Sequence, residues 1–424
     1  MRAQEGSDDK SPRSRAYLRL LLALLLPAAL FGSYDSELRA VLLSQLKGSF
    51  HVGTPEIGVA SLLIGAGQFV AFFVVLAADR IGRRPVLMWS VLGYSVFTTL
   101  TSLSWSLWSF AAFQFGAQVF IGAEFGVAVT LLAEEVPPER RGRFLSWLLL
   151  VSPLGAVIAG LLVAEGFLHN GLGWRAFFLL AALPLLVVFV ARRRLRESRA
   201  FSVMQKTEAS RRKYTVGQLA LGSLAVFRSK ARSRALAVGG IAFVQGLASA
   251  AAVGWWPYYA EHERHFGTRA TGIFLAAAAL VSVLGYLACG RMTDKVGRRP
   301  TAVLYIVGAT TCGIVTFQVS ELWLMLPFLA GTAFFGIGIA PALSAFATEL
   351  FPTTLRAQAS AWARNGFGNT GSVLGPALVG ILGTRTAPLH SIGTAASALV
   401  AVFVLAVPLV VWSIPETRGA ELDQ

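Results

Sequence analysis

Among the ionisable side chains inside long apolar stretches of the 424-residue sequence, three stand out: Asp35, Glu124 and Arg364. A charged group at the centre of a lipid bilayer costs at least about 2.5–3.5 kcal/mol, so such residues are rarely kept without a function. A buried carboxyl can accept and release a proton, and an arginine can hold a carboxylate through two parallel hydrogen bonds. These three residues are therefore the first candidates for proton and anion binding.

The two carboxyls are the candidates for proton coupling. Glu124 lies ten residues before Glu134, where its apolar stretch ends, which places it about 15 Å from that end of a helix and near the middle of a membrane. The alternative is a carboxyl that stays protonated or is satisfied by a partner. Asp35 is followed one helical turn later by Arg39, which can hold the carboxylate charged until a substrate or a proton competes. A plain salt bridge is the alternative there.

The candidates for substrate contact are one arginine, two glutamines and three aromatic residues. Arg364 could bind a substrate carboxylate, or its long side chain could reach the membrane interface, two turns after Arg356. The aromatic residues stand near one end of an apolar stretch and would form either a binding-site wall or an interfacial belt. The full set is Arg364, Gln118, Gln245, Trp255, Trp256 and Tyr259.

The elements that must position these residues follow from composition. Hydrophobic residues make up 55% of the sequence and charged residues only 14%, whereas soluble domains have roughly 25% charged residues. Apolar stretches long enough to cross about 30 Å of hydrocarbon recur twelve times. We therefore predict an all-α polytopic membrane protein with twelve transmembrane helices. The stretches lie near Tyr17–Leu46, Ile57–Ala78, Val86–Leu103, Trp108–Leu132, Phe144–Ala164, Trp174–Ala191, Ala235–Tyr259, Gly272–Met292, Ala302–Val319, Leu322–Ala347, Ala357–Leu382 and Ile392–Ile414.

The net charge of +15 is distributed unevenly along the chain. In a soluble protein it would suggest binding to nucleic acid. Once the twelve stretches are placed, however, six of the 37 Lys and Arg residues fall on one side of the membrane and nearly all the others on the opposite side. By the positive-inside rule the rich side is cytoplasmic, with both termini there. The charge is an orientation signal that contacts the lipid bilayer, and it gives no reason to expect nucleic acid as a partner.

Two short motifs occur twice at one fixed spacing. Asp79-Arg80-Ile81-Gly82-Arg83-Arg84-Pro85 ends the second stretch, and Asp294-Lys295-Val296-Gly297-Arg298-Arg299-Pro300 ends the eighth. Glu134-x-x-Pro137-x-x-x-Arg141 recurs as Glu349-x-x-Pro352-x-x-x-Arg356 at the same separation along the chain. We call this shared separation, from Asp79 to Asp294, the repeat offset. Motifs that keep one register in this way predict two halves with the same fold.

A gating role is the functional interpretation of these motifs. Gly82 and Gly297 permit a tight turn, the arginines anchor it at the lipid headgroups, and Asp79 or Asp294 can face an arginine or a helix N-terminus as a latch. A turn whose charges only set the topology is the alternative. The predicted gating residues are Asp79, Arg80, Gly82, Arg83, Arg84, Glu134, Arg141, Asp294, Gly297, Arg298, Arg299, Glu349 and Arg356.

With these motifs the chain resembles the major facilitator superfamily over essentially its whole length. Its sugar-porter, metabolite-symporter and aromatic-acid-symporter branches have sequences similar to Phe351-Pro352-Thr353-Thr354-Leu355-Arg356, Gly375-Pro376-Ala377-Leu378-Val379-Gly380 and Pro415-Glu416-Thr417-Arg418-Gly419. The resemblance implies two pseudo-symmetric six-helix bundles. They would comprise residues 17–191 and 235–414, with an N-terminal tail at 1–16, a basic cytoplasmic linker at 192–234 and a C-terminal tail at 415–424.

The same resemblance implies a secondary active transporter that moves a small organic solute by alternating access with proton symport. Gly32-x-x-Asp35 and the Trp255-x-Pro257 end of the seventh stretch resemble the organic-acid branches and favour an organic acid. Sugar uptake, proton-coupled efflux of drugs or secondary metabolites, and a non-transporting membrane sensor are the alternatives. No enzyme, metal or cofactor motif occurs in the sequence. We expect a monomer in a bacterial inner membrane, with a small-molecule substrate and protons as its partners.

Overall fold

The computed structural model describes residues 15–167, 171–192, 225–229, 231–384 and 386–417. Within these ranges the chain is helical and contains no strand; twelve main helices follow one another in sequence, and two shorter helices lie between them. The first six are α1 (Arg15–Val41), α2 (Thr54–Ile81), α3 (Arg83–Ser102), α4 (Leu107–Glu135), α5 (Pro138–Ala164) and α6 (Arg175–Arg192). The second six are α7 (Arg232–His262), α8 (Thr268–Lys295), α9 (Arg298–Gln318), α10 (Leu322–Gly336 and Ala340–Glu349), α11 (Thr353–Ala361 to Asn369–Leu382) and α12 (Ile392–Ala401 to Ala406–Ser413).

In the described ranges, nine helical stretches are long and apolar enough to cross a membrane by themselves. The elements outside that set are α3, α6 and α11, and each packs closely against its neighbours: α3 against α4, α6 against α3, and α11 against α7 and α2. Packing in the bundle compensates for the polar residues of α3 and α11. The predicted fold class, an all-α membrane protein of twelve helices, is confirmed.

The helix bounds differ from the predicted stretches where the backbone is irregular. The first stretch breaks after Val41 and resumes as a short helix, Leu43–Phe50. The tenth breaks between Gly336 and Ala340, and the eleventh contains a π-helical turn at Trp362–Gly368. Such turns are frequent at functional sites because they rotate the side chains that follow them.

The predicted linker at 192–234 lies mostly outside the described residues. Its described part contains a short helix, Ala225–Arg228, and α7 begins at Arg232, three residues before the predicted start. Of the C-terminal tail, Pro415, Glu416 and Thr417 are described.

The two halves meet through α2 against α11 and α5 against α8. Glycines allow the backbones to approach: a Cβ at Gly272 would overlap the carbonyl oxygen of Gly160, and a Cβ at Gly380 would lie 2.9 Å from the Cα of Gly58. Small residues serve this purpose in membrane bundles because van der Waals packing drives helix association there. All four glycines lie at one end of the bundle, which we call the closed end.

Side chains also join the halves at the closed end. Lys47 Nζ donates a hydrogen bond of 2.6 Å to the Tyr258 hydroxyl, and the Tyr258 ring stacks on His262 at 4.2 Å. Ser44 Oγ lies 3.4 Å from His262 Nδ1. These contacts link the end of the first stretch to the end of α7, so both halves are held together there.

The opposite end, which we call the signature-loop end, carries Gly82 and Gly297. Gly82 alone connects α2 to α3, whereas Val296 and Gly297 together connect α8 to α9; φ is 110° at Gly82 and 123° at Gly297. Side chains are strained in that region of backbone space, whereas glycine adopts it readily. The helices before and after each glycine are therefore joined by a very short turn, of one residue at Gly82 and of two residues at Gly297.

A charge pair accompanies each of these turns. Arg83 Nη2 lies 2.8 Å from Glu134 Oε1, and its Nη1 donates to the carbonyl of Ala78. Arg298 contacts both carboxylate oxygens of Glu349 at 3.0–3.3 Å, and its Nη1 donates to the carbonyl of Thr293. The arginine, the glutamate and the carbonyl of the second set each stand at the repeat offset from those of the first. The two repeated motifs of one half thus contact each other.

The second pair is extended by the C-terminal residues. The Glu416 carboxylate accepts hydrogen bonds from the backbone N–H groups of Arg298 and Arg299, at 2.9 and 3.0 Å. It therefore caps the N-terminus of α9, where the helix dipole favours an anion. Thr417 donates its hydroxyl to Glu349. Arg418 and Gly419 of the same motif lie outside the described residues.

The other predicted gating residues have varied surroundings. Asp294 is 77% exposed and lies 3.6 Å from Arg298 Nη1, which is a weak contact in solvent. Arg84 and Arg356 are partly buried, and Arg356 Nε has no hydrogen-bond partner among the described residues. The side chains of Asp79, Arg80 and Arg141 lie outside the described part, so the latch predicted at Asp79 stays a prediction.

The glycine contact predicts how the closed end responds to added volume. Gly272→Ala should force α8 away from α5 at a cost of about 1–3 kcal/mol, which widens the closed end. The matched control is Gly290→Ala on the same helix, because a Cβ there meets nothing within 4 Å. Spin labels at Gly48→Cys and Gly267→Cys, with the native cysteines replaced, report the separation of the two halves by pulsed electron paramagnetic resonance. Equal label distances in both alanine variants would contradict the prediction.

The charge pairs predict unequal roles for two neighbouring acids. Glu349→Gln removes a two-oxygen contact to Arg298 and should lower the free energy of unfolding by about 1–3 kcal/mol. Asp294→Asn should cost less than about 1 kcal/mol, because that contact is exposed and long. Thermal unfolding in detergent measures both. A larger loss of unfolding free energy in Asp294→Asn than in Glu349→Gln would contradict this prediction.

Candidate functional site

Two adjoining cavities lie between the halves. The larger has a volume of about 340 Å³ and the smaller about 110 Å³. Residues of α1 and α7 line both, and the cavities share Glu37, Val253 and Ile337. A ligand in this space would contact both halves at once.

Charged groups of the larger cavity come from α1. Its polar lining includes Ser36, Glu37 and Arg39 of α1, Gln68 of α2 and Ser249 of α7. The Arg39 guanidinium interacts electrostatically with the carboxylate of Glu37. The cluster can therefore bind an anion at Arg39 and a proton at Glu37.

Sequence reasoning missed Glu37 and treated Arg39 only as a partner of Asp35. The available signal was local: Asp35-Ser36-Glu37-Leu38-Arg39 places three ionisable residues within five positions of an apolar stretch. In a helix, residues two apart point in different directions. The spacing alone therefore did not reveal that both Glu37 and Arg39 line the cavity.

Asp35 lies behind the cavity wall. Its side chain is completely buried and is absent from the lining of both cavities. The Thr98 hydroxyl donates to Oδ1 at 3.4 Å, and Oδ2 has no hydrogen-bond partner among the described residues. Arg39 interacts with this carboxylate electrostatically, in line with their predicted spacing of one helical turn.

The two glutamine candidates act on residues of the lining. Gln118 is buried; its Nε2 donates to Ser36 Oγ at 3.3 Å, and its Oε1 accepts from Gln68 Nε2 at 3.4 Å. Gln245 Nε2 donates to Ser249 Oγ at 3.2 Å and to the carbonyl of Gly336 at 3.1 Å. The structure places both glutamines behind the cavity wall, where they orient its polar side chains.

The aromatic candidates separate into two roles. Trp255 and Trp256 are both buried; Trp255 lines the larger cavity and Trp256 the smaller one. Trp255 Nε1 donates to the carbonyl of Pro376 at 2.8 Å, whereas Trp256 Nε1 has no partner among the described residues. Tyr259 instead donates to the carbonyl of Phe317 and accepts from Arg264. These bonds tie α7 to α9, Tyr259 is absent from the lining of both cavities, and its predicted contact with the substrate stays a prediction.

Glu124 and Arg364 are absent from the lining of the two cavities. Glu124 is only 5% exposed on α4. Arg364 lies in the π-helical turn, and its guanidinium stands 5.0 Å from the ring centre of Phe125 in the other half. It precedes the cavity residue Ser372 by eight positions, about 12 Å along a helix, towards the signature-loop end. The structure thus does not bring Arg364 together with the Arg39 cluster.

Candidate metal ligands do not cluster in the part of the chain that the structure describes. No group of three or more His, Cys, Asp or Glu side chains is placed there to hold a metal ion. Cys289 and Cys312 are both free thiols. The charged groups that line the central cavities, Glu37 and Arg39, are suited to ion pairing and hydrogen bonding.

The arrangement matches known proteins over almost the whole chain. The model of the Major Facilitator Superfamily matches residues 25–376 and 238–423. The cis,cis-muconate transport protein of Acinetobacter baylyi is 28% identical, over 87% of this chain and 87% of its own length. The gentisate transporter of Corynebacterium glutamicum is 26% identical, over 83% of this chain and 78% of its own.

A solved structure shares the fold at low sequence identity. The xylose transporter of E. coli in its inward-open conformation superimposes with a TM-score of 0.75 at 17% identity, covering 96% of this chain and 98% of its own. Together with the family match, this likeness confirms the twelve-helix architecture in a multi-pass membrane protein. The chain belongs to the major facilitator superfamily, whose members are membrane transporters and not enzymes.

Proposed function

We propose that the protein is a symporter that carries a small organic acid together with a proton across a bacterial inner membrane. The observation that carries the proposal is the central cavity, which residues of both halves line and where Glu37 and Arg39 face the same space. Ionisable residues inside a membrane bundle mark substrate or proton pathways. We propose that the working unit is a monomer, since one chain supplies the whole cavity.

An organic acid suits this cavity better than a sugar or a cation. Most of the lining is apolar, including Leu43, Ile64, Phe110 and Trp255, and a guanidinium stands at one side. That combination favours an anionic group on a compact apolar body. The names of the muconate and gentisate transporters support the same class. Sugar uptake and efflux of drugs or secondary metabolites remain the alternatives.

Alternating access would use the two ends of the bundle in turn. We propose that the signature-loop end is cytoplasmic, because the basic residues concentrate there. The closed end would then face outwards, held by the glycine contacts and by Lys47 with Tyr258. The pairs of Arg83 with Glu134 and Arg298 with Glu349 join helices within one half, so each half can move as a unit around the central site.

Transport by the purified protein in liposomes tests the proposal. With a pH gradient imposed, acid outside, labelled gentisate, benzoate and cis,cis-muconate are offered beside xylose and ethidium. We expect at least one acid to accumulate above its external concentration, and a protonophore to abolish this accumulation. Driven uptake of xylose, or proton-driven movement of ethidium, would replace the proposal with a sugar porter or an exporter. No driven movement of any acid would refute it.

Proton coupling is proposed to depend on Glu124, with Asp35 as the other candidate. Both carboxyls are buried within membrane-spanning helices, and neither has an acidic counterpart at the repeat offset, where Ile339 and Ala250 stand. They therefore interrupt a symmetric scaffold. A proton that moves with the substrate needs a carboxyl that changes its protonation state as access alternates.

Neutral variants of these two acids test the assignment. Glu124→Gln keeps the shape but cannot titrate, so it should abolish gradient-driven accumulation while leaving exchange of preloaded acid within about twofold of wild type. Asp35→Asn is measured beside it in the same liposomes. Loss of accumulation in Asp35→Asn alone would move the proton site to α1. Retained accumulation in both variants would assign coupling to another group.

A further inference from the structure

Among the described residues, Arg39 is the basic side chain that lines the central cavities, and it lies in the wall of the larger one. Its Nε is buried and has no hydrogen-bond partner among the described residues. A guanidinium has five N–H donors, and a buried donor without a partner is costly. From this geometry we infer that Arg39 is the ligand of the substrate carboxylate and that Glu37 competes with the substrate for it. The inference rests on the proposed transport of organic acids and assigns the residues that recognise them.

The position of Arg39 matches what a carboxylate requires. A guanidinium and a carboxylate form two parallel hydrogen bonds, which satisfy donors that the protein leaves open. The positions of α7 that correspond to Glu37 and Arg39 at the repeat offset are Ala252 and Gly254. These small residues also line the cavities. Charge therefore comes from α1, while α7 leaves volume for the body of the ligand.

Glu37 is the acid that a bound substrate meets. It lines both cavities, whereas Asp35 is fully buried beside Thr98 and lines neither. Arg39 interacts electrostatically with both acids. Among the described residues, Arg39 is also the charged group that acts on Glu37. An incoming carboxylate adds one negative charge beside Glu37, and a proton on Glu37 cancels it. The net charge of the site is therefore the same before and after it binds one substrate carboxylate together with one proton on Glu37.

This competition gives the affinity for an acid a defined pH dependence. At low pH Glu37 is protonated and Arg39 is free to pair with the ligand. As the pH rises Glu37 ionises, competes for Arg39 and repels the ligand carboxylate, so the affinity falls. An uncharged analogue of the same shape does not respond to either effect. A comparison of an acid with its uncharged analogue therefore tests recognition at Arg39. It does not test the route of the transported proton, which we assign to Glu124 or Asp35.

Binding of acids and their amides tests the role of Arg39. Calorimetry on the full-length protein in detergent compares gentisate with gentisamide and benzoate with benzamide. Arg39→Gln should weaken binding of the acids about 10- to 100-fold, as loss of hydrogen bonds to a charged group predicts, and change the amides less than about twofold. Arg39→Lys should recover part of the acid affinity. Arg269→Gln, at an exposed arginine of α8, is the control and should match wild type.

The outcomes distinguish the inference from the proposed function. If wild type moves acids in liposomes and Arg39→Gln weakens acids and amides equally, Arg39 is structural and the transport proposal stands. Selective loss of acid binding in Arg364→Gln, with Arg39→Gln unaffected, would place the anion ligand on α11. If wild type neither moves nor binds any acid, both the function and the inference fail.

The pH dependence tests Glu37 separately. Glu37→Gln should raise the affinity for gentisate at pH 8 about fivefold, because a like charge next to the ligand is removed. It should also make the affinity for gentisate less dependent on pH than it is in wild type. An unchanged pH dependence in Glu37→Gln would overturn the competition. A thermal unfolding temperature matching wild type shows that the variant is folded when it is measured.

Discussion

A charged side chain inside a membrane bundle has two stable placements, because hydrocarbon cannot solvate it: it is paired with protein groups, or it faces a cavity. This constraint divides the charges of the chain. Arg83 and Arg298 pair with glutamates at the signature-loop end. Glu37 and Arg39 line the central cavities instead. The first set holds the scaffold together, and the second remains available to a ligand.

The scaffold is symmetric and the site is not. The pair of Arg83 with Glu134 recurs as Arg298 with Glu349, down to the carbonyl that accepts from each arginine. The charges of α1 have no such counterpart on α7. A symmetric frame lets two halves rock about a common centre, whereas a one-sided cluster gives a ligand a single orientation. The symmetric frame and the one-sided site coexist because the repeated charge pairs lie at the signature-loop end, whereas the charges of α1 lie deeper in the bundle, at the central cavities.

Much of the fold followed from the sequence, because hydropathy and the repeat offset are properties of the chain alone. Which side chains face the central cavities did not follow from the sequence in every case. Whether Glu37 or Asp35 faces the cavity depends on the rotation of α1, which packing against other helices decides. The hydrogen bond from Tyr259 to the carbonyl of Phe317 could not be predicted either, because Phe317 is far from it in sequence and on another helix. Burial of Trp256 likewise required the neighbouring helices to be in place.

The cap on α9 has a consequence for biosynthesis. The backbone N–H groups of Arg298 and Arg299 are satisfied by Glu416, a residue more than a hundred positions later in the chain. While the chain is being made, the ninth helix therefore enters the membrane with this end uncapped. Thr417, which donates to Glu349, arrives as late. The bonds from Glu416 to α9 and from Thr417 to Glu349 can therefore form only after α12, the last helix of the chain, has been synthesised.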